Sequence, residues 1–304
     1  MANLATSVGA VALANPIMTA SGTAGHGAEL GAYIDLSRLG AVVVKSLSVM
    51  PWAGNAAPRV IPLPGSMMNS VGLQGPGVKG WIENDLPALV DAGASIVASI
   101  WGRSIEEYRQ AAEALTMVQD QLTAVEINVS CPNLEDRRRM FSRSAESAAE
   151  VIDATEAISI PRWAKLSPNV ADIAEIAAGA HEAGAAAVTL TNTLLGLDID
   201  AHTGSPSLGG GGGGVSGPAV RAVAQRAVFD VAANHPQIPV IGVGGIAAAE
   251  HVVQYLRAGA SAVQIGTATF ADPRATAKIL RDLDRWCDKQ GVTDLSALVG
   301  TAHS

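Results

Sequence analysis

Short apolar runs rich in valine, isoleucine and alanine recur along this chain, and each stops abruptly at a polar or glycine residue. Pro16 to Ser21, Ala41 to Ser46, Ser95 to Trp101, Thr123 to Asn128, Arg162 to Leu166, Ala185 to Asn192, Ile238 to Val243 and Ala262 to Ile265 read as strands. Their near-continuous apolar character is what parallel strands buried on both faces require. Helical segments are predicted between them, near Ala28 to Leu39, Val78 to Ala92, after Ser104, Ser144 to Ile158, Val170 to Ala183 and from Pro218 to about Ala233, and one after each of the last two strands. Glu107 follows Ser104 at capping-box spacing, and Pro218 suits an early helical position. Ahead of this rhythm, Leu4 to Leu13 alternate loosely around Gly9 and predict a short hairpin.

Eight strands, each followed by a helical segment, predict an α/β fold of the (β/α)8 barrel type, with an N-terminal hairpin and long loops over the C-terminal face. A doubly wound open sheet is the alternative, disfavoured by the even eightfold rhythm and by the absence of GxGxxG after the first strand. No domain boundary interrupts the pattern, so residues 1–304 read as a single domain. Two connections are long. Residues 47–76 carry Pro51, Pro58, Pro62, Pro64 and Pro76, which predicts a loop without regular structure folded over one end of the domain. Residues 193–216 include the run Gly209 to Gly214, read as a mobile loop over the site rather than a linker, because it stands between a strand and a helix of the repeat.

Barrel chemistry sits where the strands end, and Ser21, Lys45, Ser99, Asn128, Lys165, Asn192, Gly244 and Gly266 follow the eight strands in turn. The densest cluster is Asn128-Val129-Ser130-Cys131-Pro132-Asn133, where two amides, a hydroxyl and a thiol meet a proline that stops further ladder pairing. A free cysteine is often only a small core residue. A core does not gather Asn128, Ser130 and Asn133 around a thiol without partners for their polar atoms, so Cys131 is the candidate reacting group. Gly244-Gly245 and Gly266-Thr267 offer bare backbone amides near helix N-termini, an arrangement suited to a phosphate. Lys45 and Lys165 beside asparagines suit an anionic ring and a carboxylate, and a flavin, which gathers negative charge on reduction, fits better than nicotinamide.

Composition narrows this further. A net charge of −8 and a pI near 5.2 argue against nucleic-acid and anionic-membrane partners. Two cysteines, Cys131 and Cys287, without ligand spacing fit a reducing cytosol and leave this chain without metal site or iron–sulfur cluster. No window reaches the roughly 18 apolar residues of a membrane span.

These motifs together resemble class 1 dihydroorotate dehydrogenases, most closely the class 1B catalytic subunit. The resemblance covers nearly the whole chain through Thr19 to Gly22, Val44 to Ser46, Gly54-Asn55 with Pro58-Arg59, Met68 to Gln74, Asn128 to Asn133, Ala164 to Asn169, Thr191 to Thr193, Ser216 to Pro218, Gly244 to Ile246 and Gly266-Thr267. It implies FMN-dependent oxidation of (S)-dihydroorotate to orotate in pyrimidine synthesis. Cys131 would be the general base at C5. Lys45, Asn69, Ser70, Val71, Gly72, Leu73, Asn128, Asn192 and Thr193 would surround the substrate. FMN would be held by Ser21, Lys45, Ser46, Ser99, Asn128, Lys165, Thr191, Gly217, Gly244, Gly245, Gly266 and Thr267. The resemblance further implies a homodimer, possibly within a heterotetramer whose second subunit carries FAD and a [2Fe–2S] cluster and passes electrons to NAD. Three features depart from the family pattern: Ser99 in place of an asparagine, Trp52 in place of an arginine, and the glycine run before Ser216. Competing readings are a fumarate-linked class 1A enzyme, a dihydropyrimidine dehydrogenase-like flavin barrel, and a non-catalytic barrel. Asn133 after Pro132 favours dihydroorotate.

Overall fold

In a computed structural model that describes residues 2–130, 132–133 and 139–304, the eight apolar runs form one parallel sheet. Its strands are Ile17–Thr19, Val42–Val43, Ile96–Ile100, Ala124–Asn128, Arg162–Lys165, Ala187–Leu190, Val240–Val243 and Ala260–Ile265. From the second to the eighth, each pairs in parallel with the next in chain order. The eighth pairs with the first, and a bridge from Met18 to Ala41 brings the second alongside the first, so the sheet closes into a barrel.

Period-2 alternation sorts each strand into two environments. Ile96, Ala98, Val125, Ile127, Ala164, Val188 and Val263 point outward into the main core beneath the helices. Met18, Val43, Val97, Ala124, Trp163, Ala187, Ile241 and Ala262 point inward as a dry layer, closed at the barrel's N-terminal end by Val8, Val11 and Leu13. Those three come from the expected hairpin, Thr6–Val8 against Val11–Leu13, which turns through Gly9 at φ +57. Two residues further along the strands, the same inward register presents Ser99, Glu126, Lys165, Thr189 and Gln264, all buried. One further step brings Asn128, Thr191 and Gly266, so the interior passes from apolar plug to polar floor to open site.

Several expected elements are altered. Ala28 to Leu39 is not an α-helix but two 3-10 turns, Glu29–Ala32 and Leu36–Arg38, because the Asp35 carboxylate caps the Ser37 N–H and restarts the chain there. Val78 to Ala92 is broken into Gly77–Asn84 and Leu86–Asp91, since Pro87 has no N–H to continue the first helix. Helix Ile105–Leu115 has the expected cap, with Ser104 Oγ accepting from the Glu107 N–H at 3.3 Å. The reciprocal contact goes elsewhere: the Glu107 carboxylate accepts from the Arg103 N–H at 2.8 Å and pairs with the Arg103 guanidinium.

The long connections also correct the sequence reading, for both contain strands. Val60–Leu63 and Ser66–Asn69 form a hairpin, and Leu194–Gly196 with Gly213–Ser216 extend it into a four-stranded antiparallel sheet. Pro62 is tolerated because Val60–Leu63 is an edge strand. The glycine run is a close-packing device. A Cβ on Gly209 would strike the Ala56 carbonyl, on Gly210 the Ser70 hydroxyl, on Gly213 the Asn69 carbonyl and on Gly214 the Thr193 side chain. Gly214→Ala is therefore expected to displace Thr193 and cost about 1–3 kcal/mol by overpacking. Thermal unfolding should show it, whereas an alanine at Gly211, whose Cβ position is open, should cost only the strain of its φ of +81.

Candidate active site

A cavity of about 1680 Å³ opens at the C-terminal end of the barrel, beneath the antiparallel sheet. That exceeds the usual 300–1,000 Å³ of a single-ligand pocket and leaves room for a flat cofactor with a substrate against it. The structure brings together Ser21, Lys45, Ser46, Asn69, Ser70, Val71, Gly72, Leu73, Asn128, Lys165, Thr191, Asn192, Thr193, Gly217, Gly244, Gly245, Gly266 and Thr267 around it. Ser99 does not line it: fully buried within its strand, it stands behind Ser46, with the two hydroxyls 2.9 Å apart. Cys131 lies outside the described residues.

The floor is a buried charged network. Lys165 Nζ lies 3.4 Å from Glu126 Oε1 and donates to Gln264 Oε1 at 3.1 Å. Gln264 Nε2 donates to Glu126 Oε2 at 2.6 Å, and Thr189 Oγ1 donates to the same oxygen at 3.2 Å. Glu126, Thr189 and Gln264 are wholly inaccessible, while Lys165 keeps 5% of its surface, so the ammonium is the member that reaches the cavity.

One wall is a chain of hydroxyls and amides. Ser21 Oγ lies 3.1 Å from Ser46 Oγ, Asn128 Nδ2 donates to Ser46 Oγ at 3.2 Å, and Asn192 Nδ2 donates to Asn128 Oδ1 at 3.4 Å. The buried Tyr108 hydroxyl donates to the Asn128 carbonyl at 2.7 Å, fixing the strand end from behind. Ser130 is tied inward as well, its N–H to Asn128 Oδ1 and its hydroxyl to the Lys165 carbonyl, both at 3.3 Å.

The roof is the antiparallel sheet and the loop after it. Val60, Asn69, Gly214 and Leu195 share one cross-strand row and therefore one face, and all four line the cavity. Beyond Asn69 the chain turns through Gly72 and Leu73, the single non-glycine residue at positive φ among the described residues. That turn is held by groups whose part in the site was not legible in the sequence. Trp52 Nε1 donates to the Gly72 carbonyl at 2.9 Å, and Asn55 Nδ2 donates to Ser70 Oγ at 2.8 Å. Arg103 lies 4.6 Å above the Trp52 ring. A tryptophan in a proline-rich loop was the available signal. Near Lys45, burial first and then the lysine's charge hold the His26 imidazole below its usual range.

At the opposite end lies a cradle of bare backbone. Gly217, Gly244 and Gly245 have φ of +95, +141 and +66, and a Cβ on Gly245 would come within 2.7 Å of Arg221 Cβ. The Tyr255 hydroxyl donates to the Gly244 carbonyl at 2.7 Å, and Thr267 Oγ1 donates to Ser216 Oγ at 2.8 Å. Positive φ and close packing against Ala224 and Arg221 call for glycine here, and the bare loop amides these residues carry fit a phosphate. A buried ammonium on the floor fits the electron-rich edge of a flat ring, so these residues suit a flavin mononucleotide.

The family model for dihydroorotate dehydrogenase matches residues 3–286. A protein of Alkaliphilus oremlandii is 42% identical over 98% of this chain and 98% of its own length, and one of Desulforamulus reducens is 42% identical over 99% of each. A protein of Geotalea uraniireducens is 40% identical over 98% of this chain and 97% of its own. All three are named dihydroorotate dehydrogenase B (NAD(+)), catalytic subunit.

Proposed function

This chain belongs to the dihydroorotate dehydrogenase family, and from that premise we propose that its cavity oxidises (S)-dihydroorotate to orotate, with FMN lying between Lys165 and the glycine cradle. The observation that carries this reading is the convergence of the strand ends on one cavity with a buried ammonium at its floor and bare glycine backbone lining its far end. FMN, when bound, supplies the acceptor for the hydride that leaves C6 of the substrate.

The remaining work falls to the protein. Cys131, as thiolate, takes the proton from C5, so that the two C–H bonds lost become the ring double bond of orotate. Lys45 meets the substrate carboxylate, while Asn69, Asn128, Asn192 and Thr193 satisfy the ring amides and carbonyls. Ser70 to Leu73 close over them and exclude water. The cross-linked asparagine and serine wall holds these donors in place before substrate arrives, so little reorganisation is left for the reaction itself. Ser21, Ser46 and Thr191 border the flavin, and Gly217, Gly244, Gly245, Gly266 and Thr267 hold its phosphate. Ser99 acts through Ser46.

The names of the relatives support an NAD-linked, class 1B enzyme that works with a further subunit; we further propose that it acts in cytoplasmic pyrimidine synthesis as a homodimer whose partner subunit carries FAD and a [2Fe–2S] cluster. The purified protein is expected to be yellow and to bleach when dihydroorotate is added without oxygen. Bleaching by dihydrouracil instead, or none by either, would overturn the assignment.

A further inference from the structure

Glu126 is a charged residue in the middle of an apolar strand, fully buried, and no role in the reaction accounts for it. An isolated carboxylate there would be prohibitively desolvated, and it persists because each of its oxygens is engaged. Oε1 faces Lys165 Nζ, and Oε2 accepts from Gln264 and Thr189. Four separate strands of the barrel supply these groups, so the network is fixed by the sheet and not by a loop. Buried ion pairs seldom raise stability above that of apolar residues of similar volume, which leaves their electrostatic effect as the reason to look further. Of the four, only Lys165 lines the cavity; the carboxylate lies immediately below it, screened from solvent by the apolar plug.

We propose that Glu126 is a positioning residue that acts through Lys165: it fixes the ammonium beneath the flavin and offsets its charge, and so sets how readily the cavity accepts electrons. The proposal rests on FMN occupying the cavity above Lys165. Electron uptake adds negative charge to the ring, which the ammonium favours and the carboxylate opposes. With both present, the floor carries no net charge. Removing either unbalances it, in opposite directions.

The test is the midpoint potential of bound FMN, measured by reductive titration against a reference dye without dihydroorotate. Glu126→Gln keeps the shape and removes one negative charge, and its midpoint is expected to move positive with FMN retained. Lys165→Gln should move it negative. The double variant, with both charges gone, should return close to wild type. A Glu126→Gln midpoint equal to wild type in folded, FMN-loaded protein would overturn the proposal. If the lone buried ammonium prevents that variant from folding, the double variant decides: a midpoint as negative as that of Lys165→Gln would mean that Glu126 has no electrostatic part, and a return to wild type would uphold it. Wild-type protein that binds no FMN would refute the proposed function first. Shifts of the expected sign in protein that dihydroorotate fails to reduce would refute the substrate assignment and leave the role of Glu126 standing.

Discussion

Replacing Cys131 by alanine is expected to leave FMN bound and to slow its reduction by dihydroorotate by about 10²–10⁴-fold, the usual contribution of a positioned base. The two effects separate because the groups do. The cradle of Gly217, Gly244 and Gly245 is formed by loops distant in sequence from the Asn128 to Asn133 motif, and the Lys165 ammonium is held from the barrel floor by Glu126 and Gln264, not by the thiol. Stopped-flow reduction under anaerobic conditions, with FMN content measured by absorbance, distinguishes loss of the base from loss of the cofactor. Equal reduction rates in variant and wild type would remove Cys131 from the mechanism. Serine at the same position should also be slow near neutrality, since a hydroxyl needs a stronger activating partner than a thiol of reference pKa about 8.5. A thiol base would work as its thiolate, whose fraction grows with pH until the thiol is fully ionised. The wild-type half-reaction should therefore quicken from neutral toward alkaline pH and then level off, and a flat profile of the chemical step would speak against a thiol base.

How much of this was legible in the sequence follows from where each residue's environment is decided. Strands buried on both faces advertise themselves as apolar runs, so all eight barrel strands were found, with ends misplaced by up to three residues, the most where Ala41 to Ser46 shrank to Val42–Val43. The strand ends are where apolar runs stop, so Asn128, Lys165, Asn192 and the glycine pairs stand out as a site from the residue pattern alone. The antiparallel roof does not, because its pairing is non-local. Gly214 pairs with Asn69 from the far side of the chain, and glycines carry no period-2 signature. What read as a flexible run is a place where neighbouring carbonyls and side chains need the space. Ala28 to Leu39 misled for a local reason, the Asp35 cap that restarts the chain. Glu126 and Gln264 could have been found: each interrupts an apolar run two residues before a site residue, Asn128 and Gly266, and so had to face the same interior.

NADH formation from dihydroorotate is expected only when a second, electron-transferring subunit is added to this chain. Within these 304 residues there is one cysteine besides Cys131, and it cannot help build a cluster. Cys287 is buried in the helical core, where desolvation raises its thiol above the usual range, and it lies in the helix Ala275–Gln290, on the barrel's outer layer. The eight strand–helix units occupy the chain from Ile17 to Gln290, and the cavity they enclose is already taken up by the proposed FMN and substrate. Electrons delivered to that flavin thus have no second carrier within these residues to hand them to a nicotinamide. The isolated chain should reduce artificial dyes at the expense of dihydroorotate, because a small dye can approach the open side of the cavity, yet produce no NADH from NAD. Adding a subunit with FAD and a [2Fe–2S] cluster should supply the missing steps and switch NADH formation on. A fumarate-linked enzyme would behave otherwise, turning over fumarate as fast as dye without any partner. Robust NADH production by this chain alone, or fumarate turnover matching that of dyes, would show the two-subunit reading to be wrong.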